Sequence, residues 1–525
     1  MPVPSHILSV PRPVNTIVED RKTDSPKRYA VRARDGYTRS ASGRIAPKNG
    51  KVIGYIIDGH YVEKAAKSSV KGPYFLSYGS AALIKSVSDD LLIDLFKIFP
   101  PNEAYSILCA AGLRVIYPGV TDSRLSSRYE KSFLSQYFPG AALSKNTISS
   151  LETRIGQDPE KRKQFYALRL EQVEAKDQIA IDGMLKQDNS SVNDLSAFSF
   201  KGRTKGVKDI SVIFAYDIER QEPLAAEVFA GNKIDAANYS DFLKRTGIDR
   251  GVLIADKGFP VSSIEDLLNN RPNLSYLSPL KRNDTRIVNN RMYDYEGSLV
   301  GTGRTVQYKK AHIKGGKFLY SFCDVERSAK EARDWIEREK DPLTGNYDVE
   351  KFRKKEPTFG TVVFLSNLDM TPLQAYRCYE ERWMIETVFN HYKNDIDLDV
   401  TRVQGDGTVT GSEFINFIAT IMTCRILRRA TKAGVFDRMS YQQMMEDLRS
   451  VQRFVPGGIE MPLEDDEYWN NPTQAERRLI REMELCIPKE EPKPKKRGRP
   501  RKEVDPAEAA KSKRRRGRPR KNPIE

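Results

Sequence analysis

Histidine and cysteine are scarce in this chain, four and five in 525 residues. The cysteines at 109, 323, 378, 424 and 486 form no C-x-x-C pair and have no histidines at zinc spacing, which excludes a thiolate zinc site and predicts reduced core thiols. The first twenty residues lack a charged segment followed by an apolar run, so no secretory signal is read there and a cytoplasmic location is expected. Long hydrophobic runs are also missing. The longest, FINFIATIMTCRIL (414–427), is too short to span a bilayer and predicts a buried helix, which excludes a membrane role.

Positive charge is plentiful. The formal net charge is +16, and residues 491–525 hold 15 Lys/Arg against 5 Asp/Glu, which places +10 in that tail and +6 on the remainder. A polyanionic partner is implied.

The hydrophobic pattern changes along the chain. Residues 1–75 read as a small β-rich module, with KVIGYIIDGHYVEK placing two β-prone runs around an Asp58-Gly59 turn. Residues 76–175 are helical, and LSKNTISSLETRIGQDPEKRKQFYALRL joins two capped amphipathic helices. The segment Ser144–Ile155 reads either as a DNA-reading helix or as an ordinary bundle helix. From 176 to 280 strands take over: QIAID (178–182), ISVIFAYDIE (210–219), LAAEVFA (224–230), GVLIAD (251–256) and LSYLSPL (274–280), with helices at NYSDFLKRTG and SSIEDLLNN. This order predicts an α/β fold with a ribonuclease-H-like sheet. Residues 281–355 interrupt it and read as a β-rich insertion; 356–435 resume with the strand TVVFLSN (361–367) and a long helix capped by Thr371 before Pro372. A helical region (436–488) and a disordered basic tail (489–525) complete the predicted organisation.

At about 100° per residue, Tyr379, Arg382, Glu386 and Lys393 fall within one narrow arc of that helix, opposite an apolar side of Ile385, Val388, Phe389 and Tyr392. His391 points away from the stripe and is assigned no role. Taken alone, such a stripe reads equally well as a solvated, salt-bridged face.

The spacing Y-x-x-R-x-x-x-E-x-x-x-x-x-x-K, from Tyr379 to Lys393, resembles the Y-R-E-K signature of the insertion-sequence-four family of DDE transposases. The resemblance implies two upstream aspartates at strand ends, and IAID ends in Asp182 while LIAD ends in Asp256, followed by Lys257-Gly258-Phe259. FAGNKID, with Asn232 and Asp235, is similar to the family's G-N-x-x-D segment. Where the family often has Thr or Ser after its first aspartate, Gly183 follows here, and Asp188 and Asp194 lie nearby as rivals.

What the resemblance implies is a DNA transposase with Asp182, Asp256 and Glu386 as catalytic and metal-binding residues. Hard divalent ions, Mg²⁺ or Mn²⁺, take such oxygen ligands, and two of them about 4 Å apart can stabilise attacking and leaving oxygens at phosphorus. Tyr379, Arg382 and Lys393 would position phosphates of the transposon end. Partners are then double-stranded DNA, as inverted-repeat ends and target, and a second copy of the chain. The alternatives are a catalytically silent DNA-binding or regulatory protein derived from a transposase, and a metal-dependent nuclease of the same fold.

The tail repeats an R-G-R-P core, Arg497-Gly498-Arg499-Pro500 and Arg516-Gly517-Arg518-Pro519, within lysines and arginines. Each copy resembles the AT-hook, whose extended Arg-Gly-Arg lies in the narrow minor groove of A·T-rich DNA. The plainer alternative is a basic tail that binds any nucleic acid by counterion release.

Overall fold

The computed structural model describes residues 3–39, 45–63, 74–188, 190–199, 206–232, 236–255, 268, 271–455 and 472–485. Two compact units emerge, Met1–Tyr74 with Val455–Pro462, and Phe75–Phe454 with Leu463–Glu525. Asp256, Lys257-Gly258-Phe259, Asp235, most of SSIEDLLNN, Cys486 and both tail motifs lie outside the described residues.

The first unit is a four-stranded antiparallel sheet in chain order: β1 (Thr16–Asp20), β2 (Tyr29–Arg39), β3 (Ile45–Ile57) and β4 (His60–Glu63). Ile57 pairs with His60 across Asp58 (φ 48°) and Gly59 (φ 76°). Positive φ at both central residues is the backbone of a tight hairpin turn whose twist suits the strands it joins. Ile7, Val10, Val18, Val31 and Ile56 form the core of this unit.

The second unit opens with helices, among them α1 (Pro101–Ile116), α2 (Lys145–Gln157) and α3 (Pro159–Leu170). Ser144 caps α2 by accepting from the Thr147 amide, and Asp158 caps α3 ahead of Pro159. A mixed ten-stranded sheet follows. Its central strands are β5 (Gln178–Gln187), β6 (Lys208–Asp217), β7 (Glu222–Ala230), β8 (Gly251–Ala255) and β9 (Leu274–Pro279), in the order β7-β6-β5-β8-β9. β6 is antiparallel to both β5 and β7, whereas β8 runs parallel to both β5 and β9. β6 is buried along nearly its whole length, which its continuous apolar run requires.

The segment 281–355 is joined to this sheet. β10 (Val306–Ile313) pairs with β11 (Lys317–Asp324), which pairs with β12 (Thr361–Ser366), itself antiparallel to β9. Helix α4 (Val325–Glu339) follows β11 and is capped by Asp324.

Two sequence expectations are corrected. β5 does not stop at Asp182 but runs on to Gln187. Lys186 is buried there, with Glu413 Oε1 2.6 Å from its Nζ. The long helix after Thr371 is also not one regular helix. It consists of α5 (Pro372–Glu381), an interruption at Arg382, α6 (Trp383–Asn390) and a π-turn over His391–Asp395. The Thr371 cap is present as a reciprocal capping box with Gln374.

FINFIATIMTCRIL lies within α7 (Asp406–Lys432), buried over most of its length, and no described helix is long and apolar enough to cross a membrane. Helix α2 packs on α7 through Ile148, Leu151, Glu152 and Ile155, which are buried. Gly156 and Gly411 let the backbones touch: a Cβ on either would come within 1.8 Å of a carbonyl oxygen of the other helix. That face of α2 is committed to packing.

Candidate active site

Asp182 lies mid-strand in β5 opposite Phe214 and is partly exposed; its Oδ1 accepts from the Gly183 amide at 2.8 Å. A Cβ at Gly183 would meet Ile213 Cγ1 at 3.5 Å and Ser211 Oγ at 3.9 Å, which is ordinary contact. Glycine is therefore not demanded by space at this position.

Helix α6 runs along β5, with Phe389 and Tyr392 packing their rings on Phe214 at 5.8 and 6.1 Å. Ile385 and Val388 are buried on the same side. Arg382, at the interruption, keeps helical backbone angles (φ −53°, ψ −29°), and only 10% of its side chain is exposed. Its guanidinium stands 3.9 Å from Asp182 Oδ2 and 3.6 Å from Glu386 Oε1. Two carboxylates from opposite ends of the domain thus share one cation. Tyr379, one turn earlier, packs its ring at a tilt against Phe364 with centroids 4.9 Å apart.

Lys393 is held near the far end of β5. Its Nζ donates to the Leu185 carbonyl at 3.1 Å and lies 3.6 Å from Asp399. Lys393 lies in the π-turn, where the step per residue is smaller than the uniform 100° of the stripe. His391, in the same turn, bonds Asp395.

Of the rival aspartates, Asp188 is buried with its carboxylate committed to its own loop, accepting from the Ser190 amide at 2.9 Å and Asn193 Nδ2 at 2.8 Å. Asp194 is exposed. Asp256 follows Ala255 in the chain, and Ala255 pairs with Ile181, the residue before Asp182.

Beneath the site lies a buried polar network absent from the sequence reading. Lys186 Nζ reaches Glu413 Oε1 at 2.6 Å and the Tyr392 hydroxyl at 3.0 Å, and that hydroxyl donates to Glu413 Oε2 at 2.5 Å. Burial drives the Lys186 pKa down against the pull of Glu413, and drives the Tyr392 phenol well up. Asn416 completes the carboxylate's bonds at 2.9 Å. Charged groups this deep are tolerated because each is paired. The buried cysteines 109, 323, 378 and 424 are free thiols.

No curated protein matches the chain. Among solved structures, a piggyBac transposase synaptic complex with hairpin DNA is similar at 10% identity and a TM-score of 0.38, over 79% of this chain and 87% of that one. Residues 178–422, which begin with β5 and take in Asp182, Arg382 and Glu386, match the family described as Transposase DDE domain.

Proposed function

We propose that the chain is a DNA transposase that cleaves transposon ends and joins them to target DNA, using Asp182, Asp256 and Glu386 on a ribonuclease-H-like core. The observation that carries the reading is the convergence of Asp182 and Glu386 on Arg382, at 3.9 and 3.6 Å. The family match over 178–422 and the strand order β7-β6-β5-β8-β9 support it.

The donor set fits hard divalent cations. Asp182 and Glu386 offer carboxylate oxygens, and both already face a positive centre rather than a hydrophobic wall. Together with Asp256 they would hold two Mg²⁺ or Mn²⁺ ions, which supply charge stabilisation at the attacking and leaving oxygens of phosphoryl transfer. Arg382, buried between the carboxylates, would orient both and meet a phosphate oxygen. Tyr379 lies beside it for the same purpose. Lys393, set against Leu185 and Asp399, would act on a more distant phosphate. Proteins of this class hold most of their catalytic power in such positioning. A second copy of the chain holds the other inverted-repeat end, and the R-G-R-P motifs (Arg497–Pro500, Arg516–Pro519) assist by binding A·T-rich minor groove.

The test is Glu386→Gln against wild type, on duplexes carrying the DNA that flanks the coding sequence, with Mg²⁺ or Mn²⁺. Nicking at a fixed end position should vanish while gel-shift binding persists. Nicking unchanged by the substitution would remove Glu386 from the mechanism. Binding with no nicking by wild type in either metal would leave a DNA-binding protein, and cleavage without strand transfer would leave a nuclease.

A further inference from the structure

A cavity of about 220 Å³ opens directly beside Arg382. Tyr379 and Arg382 line it together with Arg282 and Arg327, and Leu280 and Tyr293 add to its lining. Arg282 follows β9, and Arg327 lies in the first turn of α4. No motif connects these two arginines to the helix signature, yet the fold sets them around one space.

Their placement is fixed by Glu331. Its Oε2 accepts from Arg282 Nη2 at 2.7 Å and from the Gly360 amide at 3.1 Å, and its Oε1 accepts from Arg327 Nε at 2.9 Å. Arg327 and Tyr379 line the same cavity. Burial pushes the Glu331 carboxyl up, but bonds from Arg282, Gly360 and Arg327 outweigh it and hold the group below its ordinary range. One carboxylate therefore anchors two guanidiniums, leaving an excess positive charge in that lining. Both arginines keep much of their surface open, 42% for Arg282 and 54% for Arg327, so their remaining N–H donors are available to a ligand.

We propose that Arg282 and Arg327, pre-set by Glu331, form a second phosphate site that grips the DNA backbone next to the bond being cut. The inference rests on the transposase reading above. A planar fork held by a carboxylate on one edge still presents donors on the other, which is the geometry that takes a phosphodiester oxygen pair. Glu331 is a positioning residue: it touches no substrate and acts by limiting where the forks point.

The test uses the full chain on the Glu386→Gln background, so that strands stay whole, and flanking-sequence duplexes in which single phosphates are replaced one at a time by neutral methylphosphonate. Arg282→Ala/Arg327→Ala is compared with its parent, with melting temperature as the folding control. At one or two positions adjoining the nick, neutralisation should weaken binding by the parent on the order of tenfold and leave the double variant unaffected. The slope of log affinity against log salt should fall by about 1 to 2 in the double variant. Arg→Lys at both sites should restore the slope through its charge but not the full affinity. An equal methylphosphonate penalty in parent and variant at every position overturns the proposal. Because this readout is binding, it stands apart from nicking, whose absence in wild type sinks the transposase reading instead.

Discussion

Replacing Lys186 by Met should cost far more than an ordinary surface change, because the lysine is the counter-ion of a carboxylate sealed inside the fold. Lys186 and Glu413 have side chains only 2% and 4% exposed, with Nζ and Oε1 2.6 Å apart. Methionine fills nearly the same volume, so little cavity forms. What is lost is the charge partner, while Glu413 keeps only the Tyr392 hydroxyl and Asn416 as donors. Leaving one ion of a buried pair uncompensated costs about 3 to 5 kcal/mol. Lys186→Met/Glu413→Gln removes both charges, with the glutamine carbonyl accepting from Asn416 and its amide donating to the Tyr392 oxygen, so it should recover most of that loss, with a coupling energy of about 2 kcal/mol. Urea unfolding followed by the fluorescence of Trp335 and Trp383 measures both. A single variant within about 1 kcal/mol of wild type, or a double variant no better than the sum of the two singles, would refute the pairing as the source of the stability.

Three further outcomes are expected. Gly411→Ala should destabilise by about 2 kcal/mol or more, since its Cβ would stand 1.8 Å from the Glu152 carbonyl; Gly407→Ala, on the same helix, meets nothing closer than 3.2 Å and should be neutral or stabilising by up to about 1 kcal/mol, as thermal melts can show. Asp188→Ala should lower stability by about 1 to 3 kcal/mol through its orphaned loop donors yet leave metal-dependent nicking in place, whereas Asp182→Asn should do the reverse. Asp20, held by the Arg28 side chain and the Lys22 amide, has its pKa pulled down to about 2 from 3.8. A depressed carboxylate stabilises above the unfolded value, and that benefit is lost as pH falls through the folded one, so wild type and Asp20→Asn should converge in stability between pH 3.8 and 2.

How much of this was legible depended on whether the cause was local. The runs ISVIFAYDIE, LAAEVFA, GVLIAD and LSYLSPL became β6 to β9 because continuous burial selects continuous apolar residues. Thr371-Pro372 marked a helix start because capping is a contact between near neighbours. The extension of β5 past Asp182 was hidden, since the polarity of Lys186 is cancelled by a residue more than two hundred positions away. Likewise the stripe arithmetic assumed a uniform helix, whereas the run is interrupted at Arg382 and widened over His391–Asp395, where Lys393 bonds the Leu185 carbonyl. Arg282, Arg327 and Glu331 left no signal, because they sit in charged segments like many solvated ones.

The same contacts explain why Glu386 need not rely on local helix strength for its position. Along β5, Asp182 and Lys186 point to one face four residues apart, which is about 13 Å of strand. Along the helical run, Arg382 and Tyr392 are ten residues apart, which is about 15 Å of axis. Arg382 reaches Asp182, and Tyr392 reaches Lys186. The two spans are closely matched, so strand and helix lie side by side, fastened at both ends, with Glu386 between the fastenings. A helix interrupted at Arg382 and widened at His391–Asp395 is a poor rod by itself. Here each irregularity coincides with an anchor: the first falls at Arg382, whose guanidinium meets the carboxylates, and the second contains the tyrosine that meets the buried lysine. Loosening the deeper anchor with Lys186→Met should therefore impair nicking beyond what the loss of folded protein explains. Nicking per folded molecule equal to wild type would show that the Arg382 end alone is enough to hold Glu386.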